Sequence, residues 1–223
     1  MFTDQPLFKN EYTMDMDRYR TSRLRMHQLK EVTELDGEGM ASLRQRIATL
    51  SGNAAAGIAT PSFSADNLFM TPPWLAQRMV ELAGIEPHHS VLEPSAGMGN
   101  LIRAKPDARW TACEVDTQLS HYLYTHFPNL TLLQGDFLQR NPGTFDRIVM
   151  NPPFRMRADL RHIQHALTCL APGGRLIALC LAGTRREETL RPLASSWEVI
   201  DNAFKAERTG VSVALGVYER PRV

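Results

Sequence analysis

Short apolar runs alternate with longer amphipathic stretches along most of the chain. The runs of strand length recur at 90–92, 109–115, 130–133, 145–150 and 175–181. The stretches between them repeat apolar residues at helical spacing, as Leu75, Met79 and Leu82 do. Strands that alternate with helices in this way predict a mostly parallel sheet with helices on both faces.

Two further strands are predicted at the carboxyl end. Trp197–Phe204 and Val211–Glu219 are rich in apolar residues and are joined around the turn-forming pair Thr209-Gly210. They predict an antiparallel hairpin. The expected fold is therefore α/β, a doubly wound and mostly parallel seven-stranded sheet, Rossmann-like, with a C-terminal antiparallel hairpin.

The first 60 residues differ from the rest in pattern and charge. Two helical stretches, Met16–Leu35 and Met40–Leu50, precede the small, polar segment Ser51–Gly57. We therefore predict a helical N-terminal arm and linker at 1–60 and an α/β domain at 61–223. Four closely spaced arginines in the first stretch could contact phosphates or a second protein chain, although a solvated helix face is the simpler interpretation.

Composition narrows the class of protein. Of 223 residues, 43% are hydrophobic and 22% are charged, which is ordinary for a globular domain. No apolar run approaches the roughly 20 residues that span a bilayer, and the first residues lack the features of a secretory signal. We expect a cytoplasmic protein without a membrane partner, with reduced cysteines and no metal site. The net charge of +1 leaves any nucleic-acid contact to local patches.

A turn of small residues follows the first strand in Glu93-Pro94-Ser95-Ala96-Gly97-Met98-Gly99. Gly97 and Gly99 allow positive φ and a close approach of the main chain to a ligand. The second strand ends in Glu114-Val115-Asp116, where an acidic side chain often holds the ribose of a cofactor. Either carboxylate could instead be a solvated loop charge.

The third and fourth strands also end in polar and aromatic residues. Asp136-Phe137 could accept from the amine of an adenine and cover its ring, or could be a turn aspartate beside a core phenylalanine. In Asn151-Pro152-Pro153-Phe154 neither proline can donate to a sheet, so the strand stops there. An amide oxygen, a carbonyl and a ring would then meet a planar amine, unless Asn-Pro is simply a turn and Phe154 a core residue.

Helix boundaries are predicted from capping residues. Thr71 is the expected N-cap of the first helix of the α/β domain, Pro72 its first residue and Gly84 the residue that ends it. A helix over 158–170 should end at Pro172-Gly173-Gly174, and another should cover 184–195.

The motifs occur in an order that resembles the S-adenosylmethionine-dependent amino-methyltransferases. The set Thr71-Pro72-Pro73, Glu93–Gly99, Glu114–Asp116, Asp136-Phe137 and Asn151–Phe154 is most similar to the adenine-N6 DNA methyltransferases of the gamma arrangement. The likeness covers roughly Leu68 to the C-terminus and implies a class I methyltransferase fold with S-adenosylmethionine as cofactor.

The resemblance implies a role for each motif. Thr71, Glu93 and the following turn would contact the methionine and sugar side of the cofactor, Glu114 its ribose, and Asp136 and Phe137 its adenine. The implied cofactor-binding residues are Thr71, Glu93, Pro94, Ser95, Ala96, Gly97, Gly99, Glu114, Asp136, Phe137 and Asn151. The implied catalytic residues are Asn151, Pro152, Pro153 and Phe154. Exposed arginines beyond them, Arg155, Arg157 and Arg161, are predicted to contact the substrate, or to form the solvated first turns of a helix.

The implied chemistry is methyl transfer to an exocyclic aromatic amine. Asn151 and the Pro152 carbonyl would hold the two N–H bonds and localise the lone pair on nitrogen, while Phe154 stacks on a base flipped out of its helix. Nucleic acid is therefore the expected partner, with DNA favoured over RNA. Because only 69 residues follow Phe154, sequence recognition should be short or relaxed, or should involve residues 1–60 or a second subunit.

Three alternatives remain open at the level of sequence. An RNA base (guanine-N2 or adenine-N6) or a protein glutamine also presents a planar amine to an Asn-Pro-Pro-aromatic turn. A non-catalytic, cofactor-binding subunit is a second alternative. A nucleotide-binding oxidoreductase is the third, although it would leave the Asn151–Phe154 turn without a role.

Overall fold

The computed structural model describes residues 69–204 and 211–222. They all belong to the compact unit Asn67–Val223. The predicted arm at 1–60, the domain boundary at residue 61 and the turn at Thr209-Gly210 lie outside the described residues and stay predictions.

Seven strands and five α-helices make up the described residues. The strands are β1 (Ser90–Glu93), β2 (Arg109–Glu114), β3 (Thr131–Gln134), β4 (Phe145–Met150), β5 (Leu170–Leu181), β6 (Ser196–Ile200) and β7 (Val213–Glu219). The helices are α1 (Pro73–Ala83), α2 (Asn100–Ala104), α3 (Thr117–His126), α4 (Ala158–Thr168) and α5 (Thr184–Leu190). Short 3₁₀ turns lie at Phe137–Gln139, Arg155–Arg157 and Arg191–Leu193.

The strands form one sheet in the order β3-β2-β1-β4-β5-β7-β6. Neighbours are parallel from β3 across to β5, and β7 is antiparallel to both β5 and β6. This arrangement confirms the predicted mostly parallel, seven-stranded sheet with an antiparallel carboxyl end. The strand order reverses between β1 and β4, and open sheets of this kind bind ligands beyond the carboxyl ends of the strands at that reversal.

The core lies on both faces of the sheet. Val91 and Val149 pack on one face with Leu75 and Met79 of α1, and their sequence neighbours Leu92 and Ile148 pack on the other face. Adjacent residues of a strand point to opposite faces, so a strand covered on both sides is a continuous apolar run. This is why β1 and β4 have no polar alternation at their centres.

Helix α1 begins one residue later than predicted. Pro72 is the N-cap and Pro73 the first helical residue, while no side chain caps the helix. The predicted N-cap, Thr71, lies one residue before the observed cap, and its hydroxyl instead accepts a hydrogen bond from Asn151 (3.1 Å). The end of the helix is as predicted, with Gly84 in the left-handed region at φ 58°.

The predicted end of the helix over 158–170, at Pro172-Gly173-Gly174, and the predicted start of the fifth strand at residue 175 were wrong. Helix α4 ends at Thr168, and the Pro172-Gly173-Gly174 segment lies inside β5. Phe145 pairs with Leu170 and Arg147 pairs with Arg175. Between these two pairs β5 has more residues than β4, and the extra residues form a bulge. Gly173 has φ 75°, which explains why this tripeptide fits a bulge as well as a loop.

Other predicted boundaries differ by a few residues. Helix α5 ends at Leu190, where a 3₁₀ turn containing Pro192 replaces the predicted continuation, and β6 ends at Ile200 rather than Phe204. The cysteines Cys113, Cys169 and Cys180 are buried free thiols, as predicted. Burial raises the pKa of the Cys113 thiol to about 11. Within 69–204 and 211–222, no helix is long and apolar enough to cross a membrane.

Candidate active site

The predicted cofactor and catalytic residues gather at the carboxyl edge of the sheet. Glu93 is the last residue of β1 and Glu114 the last of β2, while Asn151 directly follows β4. Asp136 lies just beyond β3. Because these four strands are parallel neighbours, their carboxyl ends meet at one edge. The fold thus brings together motifs that are spread over about 60 residues of sequence.

The turn Pro94–Gly99 is fixed by its own hydrogen bonds. The Gly97 amide donates to Glu114 Oε2 (2.7 Å), and the Gly99 amide donates to the Ala96 carbonyl (2.8 Å). Gly99 has φ 75°, and a Cβ there would lie 2.7 Å from the ring of Phe127. Glycine is therefore required at this position by both backbone conformation and space.

Two buried carboxyl groups lie beside this turn. Glu93 and Glu114 are 3% and 7% exposed. Burial, and then the charge of Glu114, raise the pKa of Glu93 well above its ordinary range, and burial also raises the pKa of Glu114. Glu114 accepts hydrogen bonds from the amides of Gly97 and Asp116, whereas Glu93 Oε2 has no partner among the described residues. The site therefore holds an unused acceptor that a ligand with N–H or O–H donors could satisfy.

Asp136 and Phe137 occupy different environments. Asp136 is half-buried and caps the following 3₁₀ turn, accepting from the Leu138 amide (2.9 Å). The ring of Phe137 is 2% exposed and meets the ring of His165 edge-on, with centroids 4.6 Å apart. This placement favours the interpretation of Phe137 as a core aromatic, and its stacking on adenine stays a prediction.

Asn151 is held by its amide nitrogen, whereas its amide oxygen has no partner among the described residues. The nitrogen, Nδ2, donates to the Phe69 carbonyl (2.8 Å) and to the Thr71 hydroxyl (3.1 Å). The oxygen, Oδ1, is buried and has no partner within the described part of the chain. Rotation of the amide would break both donated bonds, so the structure presents a fixed, unsatisfied acceptor at the edge of the sheet.

Sequence reasoning assigned no role to two residues of this site, Phe69 and Asn100. The Phe69 carbonyl accepts a hydrogen bond from Asn151 Nδ2, and the Thr71 carbonyl accepts one from Asn100 Nδ2 (2.8 Å). Asn100 Oδ1 is also buried without a partner among the described residues. The sequence signal for Asn100 was its position directly after Gly99, but nothing local indicates that its side chain reaches back 29 residues.

Phe154 belongs to a cluster of three aromatic rings. Its ring centroid lies 5.3 Å from that of Phe69 and 6.1 Å from that of Phe204. Phe154 is 4% exposed, whereas Phe69 is half-buried. Pro152 is buried and Pro153 half-buried. The arrangement favours a packing role for the Phe154 ring, and its stacking on a target base stays a prediction.

The arginine-containing segment beyond Phe154 is exposed. Arg155, Arg157 and Arg161 all face solvent. Met156 is 83% exposed, and Met156 and Arg157 have φ angles of 50° and 58°, an uncommon conformation for residues with side chains. The segment directly follows the Asn151–Phe154 turn, so its charges lie near the candidate target site. Their contact with phosphates stays a prediction.

One group of metal-type donors occurs in the described residues. Donor atoms of Glu86, His88 and His89 lie within 4.8 Å of one another, before β1 and therefore at the opposite edge of the sheet. His89 Nδ1 accepts from the Glu86 amide (3.0 Å), so in the neutral ring the proton is on the other nitrogen. The group lies away from the candidate active site and takes no part in it.

The fold and the site define a class I methyltransferase-like α/β protein. The sequence matches the Methyltransferase small domain family over residues 62–206, which is more than half of the chain. The chain belongs to this family. This membership confirms the predicted class, a methyltransferase that uses S-adenosylmethionine, and the residues fit that cofactor because Glu93 and Asn100 offer unused buried acceptors beside the Gly97–Gly99 turn.

Curated relatives are similar to part of this chain. A "Probable ribosomal RNA small subunit methyltransferase A" from Methanosarcina mazei is 30% identical over 100 residues, covering 43% of this chain and 37% of the relative. The chain thus spans little more than a third of the length of that relative. The predicted preference for DNA is not confirmed by this similarity.

Solved structures confirm the fold. TrmN from Thermus thermophilus has a TM-score of 0.54 at 25% identity, over 66% of this chain and 48% of that one. A modification subunit of a putative type I restriction enzyme from Vibrio vulnificus YJ016 also has a TM-score of 0.54, at 15% identity, over 84% of this chain and 51% of that one. The two TM-scores are equal although the two proteins are of different kinds. The fold alone therefore does not distinguish between substrates.

Proposed function

We propose that the protein transfers a methyl group from S-adenosylmethionine to the exocyclic N6 amine of an adenine in RNA. One observation carries the proposal: Asn151 Oδ1 is buried, fixed in direction and without a partner among the described residues. A planar amine with two N–H donors is the ligand chemistry that satisfies such an acceptor beside a second carbonyl.

RNA is preferred here to the DNA expected from the sequence motifs. The curated relative from Methanosarcina mazei is named as a ribosomal RNA methyltransferase, which supports RNA. The motif set supports adenine as the base. DNA is therefore the second candidate substrate, and the experiment described below includes it.

The side chains of the site contribute by position and by electrostatics. Asn151 Oδ1 accepts one hydrogen of the amine and the Pro152 carbonyl accepts the other, which localises the nitrogen lone pair that is otherwise delocalised into the ring. Thr71 and Phe69 keep the Asn151 amide from rotating, so no reorganisation is needed when the amine arrives. The aromatic cluster of Phe69, Phe154 and Phe204 closes one side of this position.

Held beside the Gly97–Gly99 turn, S-adenosylmethionine would supply the methyl group, which would pass from its sulfur to the amine nitrogen. The extra proton then leaves the nitrogen for water. No Ser, Cys or His nucleophile is required, and none is assigned. A base paired in a helix has to leave the stack to reach Asn151, whereas a base in a single-stranded loop is already accessible.

The test offers several acceptors side by side. Tritiated S-adenosylmethionine is incubated with the full chain and ribosomal RNA, transfer RNA, duplex DNA or a protein extract, and the labelled product is digested and identified by mass spectrometry. We expect N6-methylated adenosine from RNA. N6-methyldeoxyadenosine from DNA alone would restore the expectation from sequence, and N2-methylguanosine or methylglutamine would replace adenine as the target. No transfer to any acceptor, with cofactor binding intact, would favour a non-catalytic subunit.

A further inference from the structure

The site contains a second buried amide oxygen that the proposed reaction does not use. Asn100 Oδ1 has no hydrogen-bond partner among the described residues. Its amide nitrogen donates to the Thr71 carbonyl (2.8 Å), so the orientation of the side chain is fixed by the nitrogen. A buried amide oxygen without a donor costs free energy, which a bound ligand would recover.

The surroundings of Asn100 indicate the kind of ligand. Asn100 begins α2 directly after Gly99, and Glu93 ends the strand on the other side of the same turn. Glu93 Oε2 is likewise buried without a partner within the described ranges. These two unused oxygen acceptors around one turn, one from an amide and one from a carboxyl group, favour a cation with several N–H donors. A primary ammonium group has this chemistry, and the methionine part of S-adenosylmethionine carries one.

We propose that Asn100 binds the ammonium group of the cofactor through Oδ1 and thereby couples cofactor binding to target binding. The inference rests on the proposed function, because it assigns a residue of the same site. Asn100 is the residue in contact with the cofactor, and it acts on the target site as a positioning residue.

The coupling runs through Thr71. Asn100 holds the carbonyl of Thr71, and Asn151 holds the hydroxyl of the same residue. A cofactor bound to Asn100 Oδ1 therefore reinforces the existing contact of Asn100 with Thr71, and Thr71 in turn holds the amide that receives the target amine. Linkage requires that target binding strengthen cofactor binding by the same factor.

The first experiment separates the ammonium contact from the rest of the cofactor. Affinities for S-adenosylhomocysteine, which carries the ammonium, and for 5′-methylthioadenosine, which lacks it, are measured by calorimetry. Asn100→Ala should weaken the affinity for S-adenosylhomocysteine by about ten- to a hundredfold, which is the range for a hydrogen bond to a charged group. The affinity for methylthioadenosine should change by about twofold or less. Equal weakening of both ligands would overturn the assignment. Asn129→Ala, at an exposed turn residue, is the matched control.

The second experiment separates the two halves of the side chain. Asn100→Asp keeps an acceptor for the ammonium and removes the donor to Thr71. We expect S-adenosylhomocysteine to tighten RNA binding by about fivefold or more in the wild type and not at all in this variant, while S-adenosylhomocysteine itself still binds. Retained coupling in Asn100→Asp, or no coupling in the wild type, would overturn the positioning role.

The outcomes also distinguish this proposal from the proposed function. A wild type that binds S-adenosylhomocysteine but no RNA would contradict the proposed substrate, while the first experiment still decides on the ammonium contact. A wild type that binds neither S-adenosylhomocysteine nor methylthioadenosine would overturn the cofactor site as a whole. Circular dichroism and thermal unfolding of each variant exclude loss of the fold as the cause.

Discussion

The side-chain amide of Asn151 donates a hydrogen bond to the hydroxyl of Thr71, 80 residues earlier in the chain. The bond joins the turn after β4 to the residue that precedes α1 by two positions. It explains two features together. The Thr71 hydroxyl contacts Asn151 rather than the first turn of α1, and the Asn151 oxygen is left without a partner among the described residues.

The first prediction concerns Asn151 itself. Asn151→Ala should lower methyl transfer by about a hundred- to a thousandfold, the cost of removing one preorganised hydrogen-bonding group from a reacting centre. Affinity for S-adenosylhomocysteine should change by about twofold or less, since Asn100 still holds Thr71. Single-turnover rates and calorimetry measure the two effects, with Asn129→Ala as control. An unchanged rate would show that Asn151 does not hold the target.

Sequence reasoning placed the candidate residues at one edge of the sheet because the signals on which it relied are local. The prolines after Asn151 end β4, small residues after Glu93 form a turn, and parallel strands bring both to one edge. It did not find that Asn100 and Asn151 meet at Thr71, because polar contacts over 29 and 80 residues leave no periodic pattern.

The aromatic residues show a different limit. Phe137 and Phe154 both follow a strand at the ligand-binding edge, and such a ring can face either a ligand or the core. Their burial, 2% and 4% exposed, depends on partners such as Phe69 and His165 that tertiary packing supplies. The Pro172-Gly173-Gly174 bulge was missed for a related reason, since that tripeptide suits a loop and a bulge equally.

The second prediction concerns pH and Glu93. Burial raises the pKa of Glu93 in the folded chain, so below its ordinary value of 4.5 both the folded and the unfolded chain hold the proton. As the pH rises, the unfolded chain releases the proton first, and the free energy of unfolding falls until the raised pKa is passed. Glu93→Gln stays neutral throughout. Its stability relative to the wild type should therefore increase from pH 4 to pH 8.

Urea unfolding without cofactor at several pH values measures this difference. Glu188→Gln, at an exposed position on α5, should show no comparable trend. A stability difference between Glu93→Gln and the wild type that does not vary with pH would contradict a raised pKa of the buried Glu93.

The third prediction concerns the buried ion pair between Asp159 and Arg186. Asp159 is fully buried at the start of α4 and accepts from Arg186 Nε (2.6 Å) and from the Leu181 amide (3.1 Å). Arg186→Leu leaves the carboxylate buried without its counter-ion and should lower the free energy of unfolding by about 3–5 kcal/mol. Adding Asp159→Asn should recover part of that loss, because the double variant buries no charge.

The exposed pair Arg191–Glu187 is the matched control for this cycle. Its side chains are 62% and 44% exposed, and Arg191→Leu should cost about 1 kcal/mol or less. Chemical unfolding of the wild type and of the three variants measures these losses of stability. Equal losses for Arg186→Leu and Arg191→Leu would mean that burial of Asp159 contributes nothing.

The fourth prediction concerns two glycines with positive φ. Gly99 (φ 75°) would place a Cβ 2.7 Å from the Phe127 ring, whereas Gly143 (φ 97°) has no atom within 4 Å of the corresponding position. Gly143→Ala should therefore cost about 1–2 kcal/mol for the backbone conformation alone. Gly99→Ala should cost more, because it adds crowding, and it should weaken S-adenosylhomocysteine binding by displacing the turn that precedes Asn100.

Phe127→Leu in the Gly99→Ala background should restore part of the stability by making room. Unfolding free energies and calorimetric affinities test this order, and equal losses for the two glycines would show that contact with Phe127 does not constrain the cofactor turn.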